Sequence, residues 1–528
     1  MKVVIAEKPS VARDLARVMG AKEVKDGYIS GNGYAFTYAF GHLVQLCTPQ
    51  AYGYHNWAIS NLPIIPKQFE LEVKKVKRDG KQIDDAGALK QLNTIKALLG
   101  QAEEIIVATD AGREGELIFR NIYYYLNSKV PFKRLWISSQ TDKAIKEGFA
   151  NLKEGIEYDS LYMSARSRSE SDWLIGINAT QALTLAAGNR GLLSLGRVQT
   201  PTLAMICSRY LENKDYKPQA FYKIQAGFEK EGIQFKATSN KIDKKDIAEE
   251  TIARMQVGMN ATVKNVEAKE TKEQPPLLFD LTSLQQDANK KYGYSADQTL
   301  SIAQTLYEKK VITYPRTGSR YIGEDVFEKI EELFQHLANT AQESIAVISK
   351  NLIGAKLNKR SVDDKKVTDH HALLVTDEKP GPMPMDHQNI YNMIAKRMVE
   401  SFTDVCLKDI TTVVIDAAGV ELIAKGTVIR QYGWRLTADQ VELPDEDKNN
   451  DDQDNENAQL PKLSVEEILE VLTLELAERF TKARPIHTEA SLLKAMETSG
   501  KEIEDDEMRQ AMKDCGLGTP ATRAATIE

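Results

Sequence analysis

The chain alternates between two hydrophobic periods. Lys2–Ala6 is one lysine followed by a short apolar run, and Glu104–Thr109 repeats the form. Each run enters a polar turn and then a helically spaced stretch: Pro9 through Leu15 and Met19 after the first, "REGELIFRNIYYYL" after the second. Pro9 suits the first turn of a helix, with Ser10 as a cap or first-turn residue. Strand, turn and helix repeated in this way predict a parallel sheet covered by helices over 1–150. Residues 151–213 read as helical, centred on "SRSESDWLIGINATQALTLAA". From 214 to 272 the pattern changes to strands ("FYKIQAGF", "ATVKNVEA"), 277–402 returns to helix, and 403–440 is again strand-like ("DITTVVIDAAGVELIAKGTVI"). The periodicity of 464–528 reads as helical. This order predicts a β region that the chain leaves, to build a helical lobe, and later re-enters. No internal repeat is visible.

At 528 residues the chain exceeds the size of one growing core, which predicts three or four domains. The N-terminal apolar run is too short for a signal-peptide core, and no run of roughly 18 apolar residues follows, so a cytoplasmic protein without a membrane span is expected. Cys47, Cys207, Cys406 and Cys515 are far apart with no C-x-x-C, which predicts reduced packing residues. The net charge of −7 argues at first against a polyanion partner. However, the stretch Glu442–Glu456, "ELPDEDKNNDDQDNE", itself sums to −7 and reads as a self-repelling loop, so the remainder is neutral and free to carry a basic groove.

Three short stretches carry candidate chemistry. In "IIVATDAGREGE" a buried strand runs into Asp110, with Glu114 and Glu116 close behind, and Glu7 ends the first strand in the same way. Side chains at the C-terminal ends of parallel strands converge on a crevice. Carboxylates there suit Mg²⁺, while acids in a first helical turn are equally explained by the macrodipole. Gly112 stands where a further acid would strengthen a cation site. In "SADQTLSIAQTLYEKKVITYPRTGSRYI", Ser295 and Gln298 have capping-box spacing, and Ala296, Leu300, Ala303 and Leu306 form an apolar stripe. Pro315 ends regular helix and leaves Tyr314 on a turn beside Arg316 and Arg320. A phenol with a pKa near ~10 is a poor nucleophile unless guanidinium groups stabilise its anion and clamp a phosphate, so Tyr314 is either an activated nucleophile or a packed turn residue. In "LLSLGRVQTPTLAMI" a turn at Ser194–Gly196 precedes Arg197, Gln199 and a helix start at Thr200–Pro201, a ready phosphate contact. In "TDHHALLVT", Asp369, His370 and His371 lack a third His or Cys, which favours a phosphate-contacting or proton-handling histidine over zinc. "GLGTPATR" is a further glycine-rich turn into a helix cap. There is no G-x-x-x-x-G-K-[ST], so nothing argues for ATP hydrolysis.

Taken together, the chain resembles the type IA DNA topoisomerases, most closely the bacterial topoisomerase III group. "VVIAEKPSVAR" and "ATDAGREGELI" look like the two motifs of that family's Toprim domain, and "LSLGRVQTPTL" like its DNA-gripping segment. The long segment "PPLLFDLTSLQQDANKKYGYSADQTLSIAQTLYEKKVITYPRTGSRYI" looks like the one ending in the active-site tyrosine, and "DHHALL" and "GLGTPATRAATIE" match two further motifs. The resemblance spans the whole chain in the family's order.

It implies a multi-domain toroid, α/β plus α and β. A Rossmann-like Toprim domain would occupy 1–150, and a helical domain would be built from 151–213 and 485–528. A β-rich arch would comprise 214–276 and 403–484, with the acidic loop 442–457, and a helical lid over 277–402 would carry the tyrosine. It implies an ATP-independent enzyme that cuts one strand through a 5′-phosphotyrosine, passes another and reseals, relaxing negative supercoils or decatenating. Tyr314 would be the nucleophile, Arg316 the transition-state clamp, Glu7 and Lys8 neighbours of the scissile phosphate, and His370 the active-site histidine. Glu7, Asp110 and Glu114 would hold Mg²⁺. Ser194, Leu195, Gly196, Arg197, Val198 and Gln199 would contact DNA, and Arg166, Arg168 and Asp172 match the charged helix before the glycine of "LIGIN". The implied partners are DNA, mainly single-stranded, and a helicase, for a monomer at the nucleoid. Two departures stand out: Gly112 replaces the second acid of the family's Asp-x-Asp, and the family continues past GTPATR, so the last helical segment reads as truncated. A Toprim nuclease or primase, a catalytically impaired single-strand-binding fragment and a scaffold protein are the alternatives.

Overall fold

A computed structural model describes residues 1–78, 81–137, 141–437, 456–457, 460–499 and 516–528. Most of the acidic loop and Cys515 therefore lie outside the described residues.

The first sheet has seven strands, in the order Lys153–Glu154, Phe132–Arg134, Glu104–Ala108, Lys2–Ala6, Tyr34–Tyr38, Tyr28–Gly31, Glu23–Lys25. The four central strands run parallel, and the outer ones are antiparallel. Val3 to Ile5 and Ile105 to Val107 are fully buried, as expected of strands covered on both faces. Because side chains alternate, Val3, Ile5, Ile105 and Val107 pack beneath helices α2 (Ala86–Leu99) and α3 (Arg113–Tyr125). Val4, Ala6, Ile106 and Ala108 face α1 (Pro9–Val18) and Ile145. The register pairs Ala6 with Ala108, so the two strands end level. That alignment delivers Glu7 and Asp110 to one spot.

The second sheet has eight strands and draws on two distant stretches. Ala220–Lys230, Ile233–Ser239 and Asn260–Glu273 come from the first; Cys406–Ala417, Val420–Gln431, the short Glu456–Asn457, Ile468–Glu470 and Thr473–Phe480 from the second. Val420–Gln431 folds back from Cys406–Ala417 across a two-residue turn, Ala418–Gly419, with both φ angles positive, the geometry that matches strand twist. Inward positions recur at every second residue: Ile224, Ala226 and Phe228; Val413 and Ile415; Leu422 and Ala424.

One helical expectation is corrected here. Ile468–Glu470 and Thr473–Phe480 are strands, although "LELAERF" is rich in helix formers. Thr473–Phe480 pairs along its length with Ala220–Lys230 and packs Leu474 and Leu476 on the sheet core, and that pairing outweighs local propensity.

Between the two stretches lies a helical lobe with its own core. Leu284, Ile302, Leu306, Phe334, Ile394 and Phe402 of four helices meet in it. Ser295 caps one of them, Ala296–Glu308, accepting from the Gln298 N–H at 3.0 Å. The helices Glu489–Thr498 and Pro520–Ile527 pack on this lobe through Leu493 and Ala524, against Leu281, Ala296 and Leu300. Residues 151–213 form a long helix, Asp159–Ala186, and a second, Gln199–Asp215, one residue ahead of the expected Thr200–Pro201 start. Cys47 and Cys406 are buried, but Cys207 is exposed and is not a packing residue. Among the described residues no helix is long and apolar enough to cross a membrane.

Candidate active site between the strand ends and the tyrosine loop

Lys8 is the extended residue just before α1, with Pro9 opening the helix, so its side chain is free to leave along the strand direction. Its Nζ lies 2.8 Å from Asp110 Oδ2 and 3.7 Å from the centre of the Tyr314 ring. His370 Nε2 is 3.0 Å from the same Asp110 oxygen, and its ring is 4.5 Å from that of Tyr314. The Asp110 N–H donates to Glu7 Oε2 at 3.2 Å. Five residues from four separate parts of the sequence therefore form one cluster: Glu7, Lys8, Asp110, Tyr314 and His370. It opens on a cleft of about 1120 Å³ that Arg316, exposed, also lines.

The charges within it are interdependent. Burial works against the Lys8 ammonium, but Asp110, Tyr314 and Glu7 outweigh it and hold its pKa well above the ordinary lysine value. Burial likewise pushes Asp110 up, yet the His370 hydrogen bond and the Lys8 charge keep it far below the usual carboxylate range. Glu7 goes the other way: burial, then the Asp110 charge, raise its pKa. Burial raises the Tyr314 phenol, with Lys8 and Arg316 pulling against it. Two adjacent carboxylates pushed in opposite directions is a pattern suited to acid–base work.

The tyrosine loop and the histidine segment are tied together by hydrogen bonds. The Thr313 N–H donates to the Leu374 carbonyl at 2.9 Å, the Leu374 N–H to Thr313 Oγ1 at 3.0 Å, and Thr317 Oγ1 to the His370 carbonyl at 2.9 Å. His371 turns its Nδ1 onto the Ala372 carbonyl at 2.7 Å, which leaves His370 as the member of the pair facing Asp110.

The acids after Asp110 separate. Glu116 is 1% exposed and sits between Arg120 Nε at 2.8 Å and Arg134 Nε at 3.2 Å, so it belongs to the core and not to a cation site. Glu114 lies 2.5 Å from His42 Nε2, and that contact lowers its pKa against the upward push of burial. Among the described residues no three acids, histidines or cysteines gather as a ready metal cage, so Glu7, Asp110 and Glu114 are not brought together as expected. The donor chemistry nevertheless suits Mg²⁺. All are carboxylate oxygens, and Asp369, beside Asp110, makes no hydrogen bond or ion pair among the described residues; the protein packed around it and the Asp110 charge push its carboxyl up.

The glycines of "AGREGE" are explained by close approach. A Cβ on Gly115 would run into the Asp110 carbonyl, so glycine lets α3 rest on the strand end, where Thr109 Oγ1 donates to the Gly115 carbonyl at 2.7 Å. A Cβ on Gly112 would overlap the Asp369 carboxylate.

The Ser194–Gln199 segment is built on the long helix, away from the cluster. Thr180 Oγ1 accepts from the Leu195 N–H at 2.9 Å, Thr200 Oγ1 from the Gly196 N–H at 3.1 Å, and Arg197 grips Asp172 with two contacts of 2.6 and 3.2 Å. Val198 is the residue before the helix, with Ser194 exposed ahead of it. Arg166 pairs with Glu170 at 2.6 Å, whereas Arg168 lines a cavity of about 470 Å³ with Gly112, Glu114 and Asp369.

Sequence reasoning passed over His42 and Arg134, and gave Asp369 no role beyond its place beside His370. Arg134 is 1% exposed and donates to the carbonyls of Val107, Thr109 and Asp110, at 3.0, 2.8 and 2.6 Å. It fixes the strand end that presents Asp110. Arg134→Ala leaves Glu116 with Arg120 alone and takes a donor from four carbonyls, that of Leu135 included, and should cost about 3–5 kcal/mol of stability. A denaturant midpoint matching that of the wild type would remove this role.

The fold and cluster are those of a known class: residues 157–528 match the DNA topoisomerase family and residues 2–140 the Toprim domain, and the chain belongs to that family. It is a type IA DNA topoisomerase, an isomerase that cuts, passes and reseals DNA strands. Among its relatives, DNA topoisomerase 3 of Bacillus subtilis (strain 168) is 38% identical over 543 residues, and that of Bacillus licheniformis 39% over 537. One from Bacillus cereus (strain ATCC 14579) is 41% identical over 542. Each alignment covers 100% of this chain and 71% of the relative. The full-length topoisomerase I structure from Thermotoga maritima shares the fold at a TM-score of 0.66 and 21% identity, over 99% of this chain and 77% of that one.

Proposed function

We propose that Tyr314 is the nucleophile of this topoisomerase and that Lys8, Glu7, His370 and Arg316 are its working partners. The observation that carries the reading is the Lys8 ammonium, held at once against Asp110 and over the Tyr314 ring. Single-stranded DNA enters the cleft with its phosphates on Arg316 and, further along, on the Ser194–Gln199 turn with Arg166 and Arg168 nearby. These contacts position the backbone without reading sequence.

The Tyr314 oxygen attacks phosphorus, a tyrosyl–phosphorus bond forms, and the bond to the 3′-oxygen breaks. The phenol, kept neutral by burial beforehand, gives up its proton to solvent in the open cleft as the bond forms. The 3′-oxygen takes a proton as it leaves. Glu7, with its raised pKa, is one donor in place, and the Lys8 ammonium the other. One ester is exchanged for another, so resealing needs no ATP. Arg316 and Lys8 offset charge on the pentavalent phosphorus. Mg²⁺ would be held by Glu7 and Asp110, with Glu114 once released from His42, and would neutralise charge between the acids and the DNA phosphates. Relaxation and decatenation both follow from passage through the opened strand. We place the enzyme in the cytoplasm at the nucleoid, as a monomer served by a helicase.

Denaturant trapping on single-stranded DNA tests this. The expected product is a covalent adduct on the 5′ end of the break, formed by the 528-residue chain with and without EDTA and resealed on adding Mg²⁺. Adduct on the 3′ end, or cleavage without any adduct, would favour the nuclease reading.

A further inference from the structure

The contact between Gly112 and Asp369 crosses from the sheet domain to the tyrosine lobe. Asp369 is adjacent to His370, and Thr317 ties the His370 carbonyl to the tyrosine loop, so Asp369 and Tyr314 ride on the same body. On the other side, Gly112 is the residue before α3, and it has no side chain to cap that helix. The Asp369 carboxylate occupies the space a Cβ would take, at a helix end whose dipole favours a negative group. Other contacts across this boundary are polar and stretchable, among them Lys8 over Tyr314, His370 to Asp110, Thr141 to Asp325 at 3.4 Å, and Lys143 to Glu328 at 3.1 Å on the surface. At Gly112 one side fills a hollow in the other.

We propose that Gly112 and Asp369 are a positioning pair that registers the gate: Asp369 seats in the hollow at Gly112, and full closure, which brings Tyr314 onto Lys8 and Asp110, requires glycine at 112. The missing acid of the "DAGRE" turn is then not a defect. A side chain there and a carboxylate at 369 exclude one another. This rests on the proposed function only in that passage of a strand through the break needs the tyrosine lobe to part from the sheet domain.

The test uses the full chain, with fluorophores attached through unnatural side chains at Lys146 and Glu332, both exposed and on opposite sides of the boundary. Energy transfer without DNA reports the ratio of closed to open molecules. Gly112→Ala should lower that ratio about tenfold or more, the usual size of an overpacking effect. Asp369→Ala should lower it about threefold at most, and the double variant should return to within about threefold of Asp369→Ala, the non-additivity expected of touching residues. Asp369→Glu, which overfills the hollow from the other side, should open the gate as Gly112→Ala does; it decides the matter if Gly112→Ala melts early. A ratio within about twofold of wild type for both Gly112→Ala and Asp369→Glu would overturn the proposal. So would a double variant that keeps the full Gly112→Ala defect, because a purely local strain in α3 is not rescued from across the boundary. The adduct assay tests the nucleophile and the transfer ratio tests the gate, so each fails on its own.

Discussion

Tyr314→Phe is expected to abolish the covalent protein–DNA adduct while leaving single-strand affinity within about twofold of wild type. The substitution removes one oxygen and leaves the ring, with its contacts to Lys8, His370 and Tyr307 at 3.7, 4.5 and 5.3 Å, in place. Binding depends on phosphate contacts spread over the cleft and the Ser194–Gln199 turn, which the ring oxygen does not touch. Loss of the nucleophile leaves no other route to a tyrosyl ester, so the expected effect is complete. Adduct at the wild-type level would move the nucleophile elsewhere, with Tyr307 the first place to look.

Lys8→Ala should slow cleavage by about 10²- to 10⁴-fold. Two losses combine. The phenolate forming on Tyr314 loses the cation above its ring, and Asp110 is left with half its compensation beside Glu7. Breaking a buried charge pair costs about 3–5 kcal/mol, and each ~1.4 kcal/mol is tenfold in rate. Lys8→Arg keeps the charge but not the compact ammonium that fits between ring and carboxylate, so it should recover only part of the loss. Single-turnover cleavage of a labelled oligonucleotide measures both. A rate for Lys8→Ala within about threefold of wild type would show that Lys8 only holds Asp110.

The chemistry was legible wherever a local pattern implied its own geometry. Two short apolar runs ending in acids mark parallel strand ends, and their level register brings Glu7 and Asp110 together. Pro315 left Tyr314 on a turn for a reason contained in two adjacent residues. What the sequence hid was pairing at long range. His42, the partner of Glu114, lies 72 residues before it, and its only local mark is the turn at Phe40 and Gly41, both at positive φ. Arg134 reads as one more basic residue in "FKRLW" until four carbonyls are seen to converge on it. Asp369 was visible as a neighbour of His370, but its docking at Gly112 depends on two bodies meeting. Thr473–Phe480 was misread because its leucines and glutamates favour helix, and only a strand 243 residues earlier, counting from Lys230 to Thr473, overrules them.

That last pairing also governs how the protein is born. Ala220–Lys230 leaves the ribosome long before its outer neighbour exists. At ~5–20 residues per second, the interval is on the order of ten to fifty seconds. Throughout it the nascent sheet offers an unsatisfied ribbon of amides and carbonyls, the kind of border along which strangers anneal. Whatever shields that border during synthesis, a chaperone or the helical lobe emerging next, sets the yield of usable enzyme as firmly as any residue in the cleft.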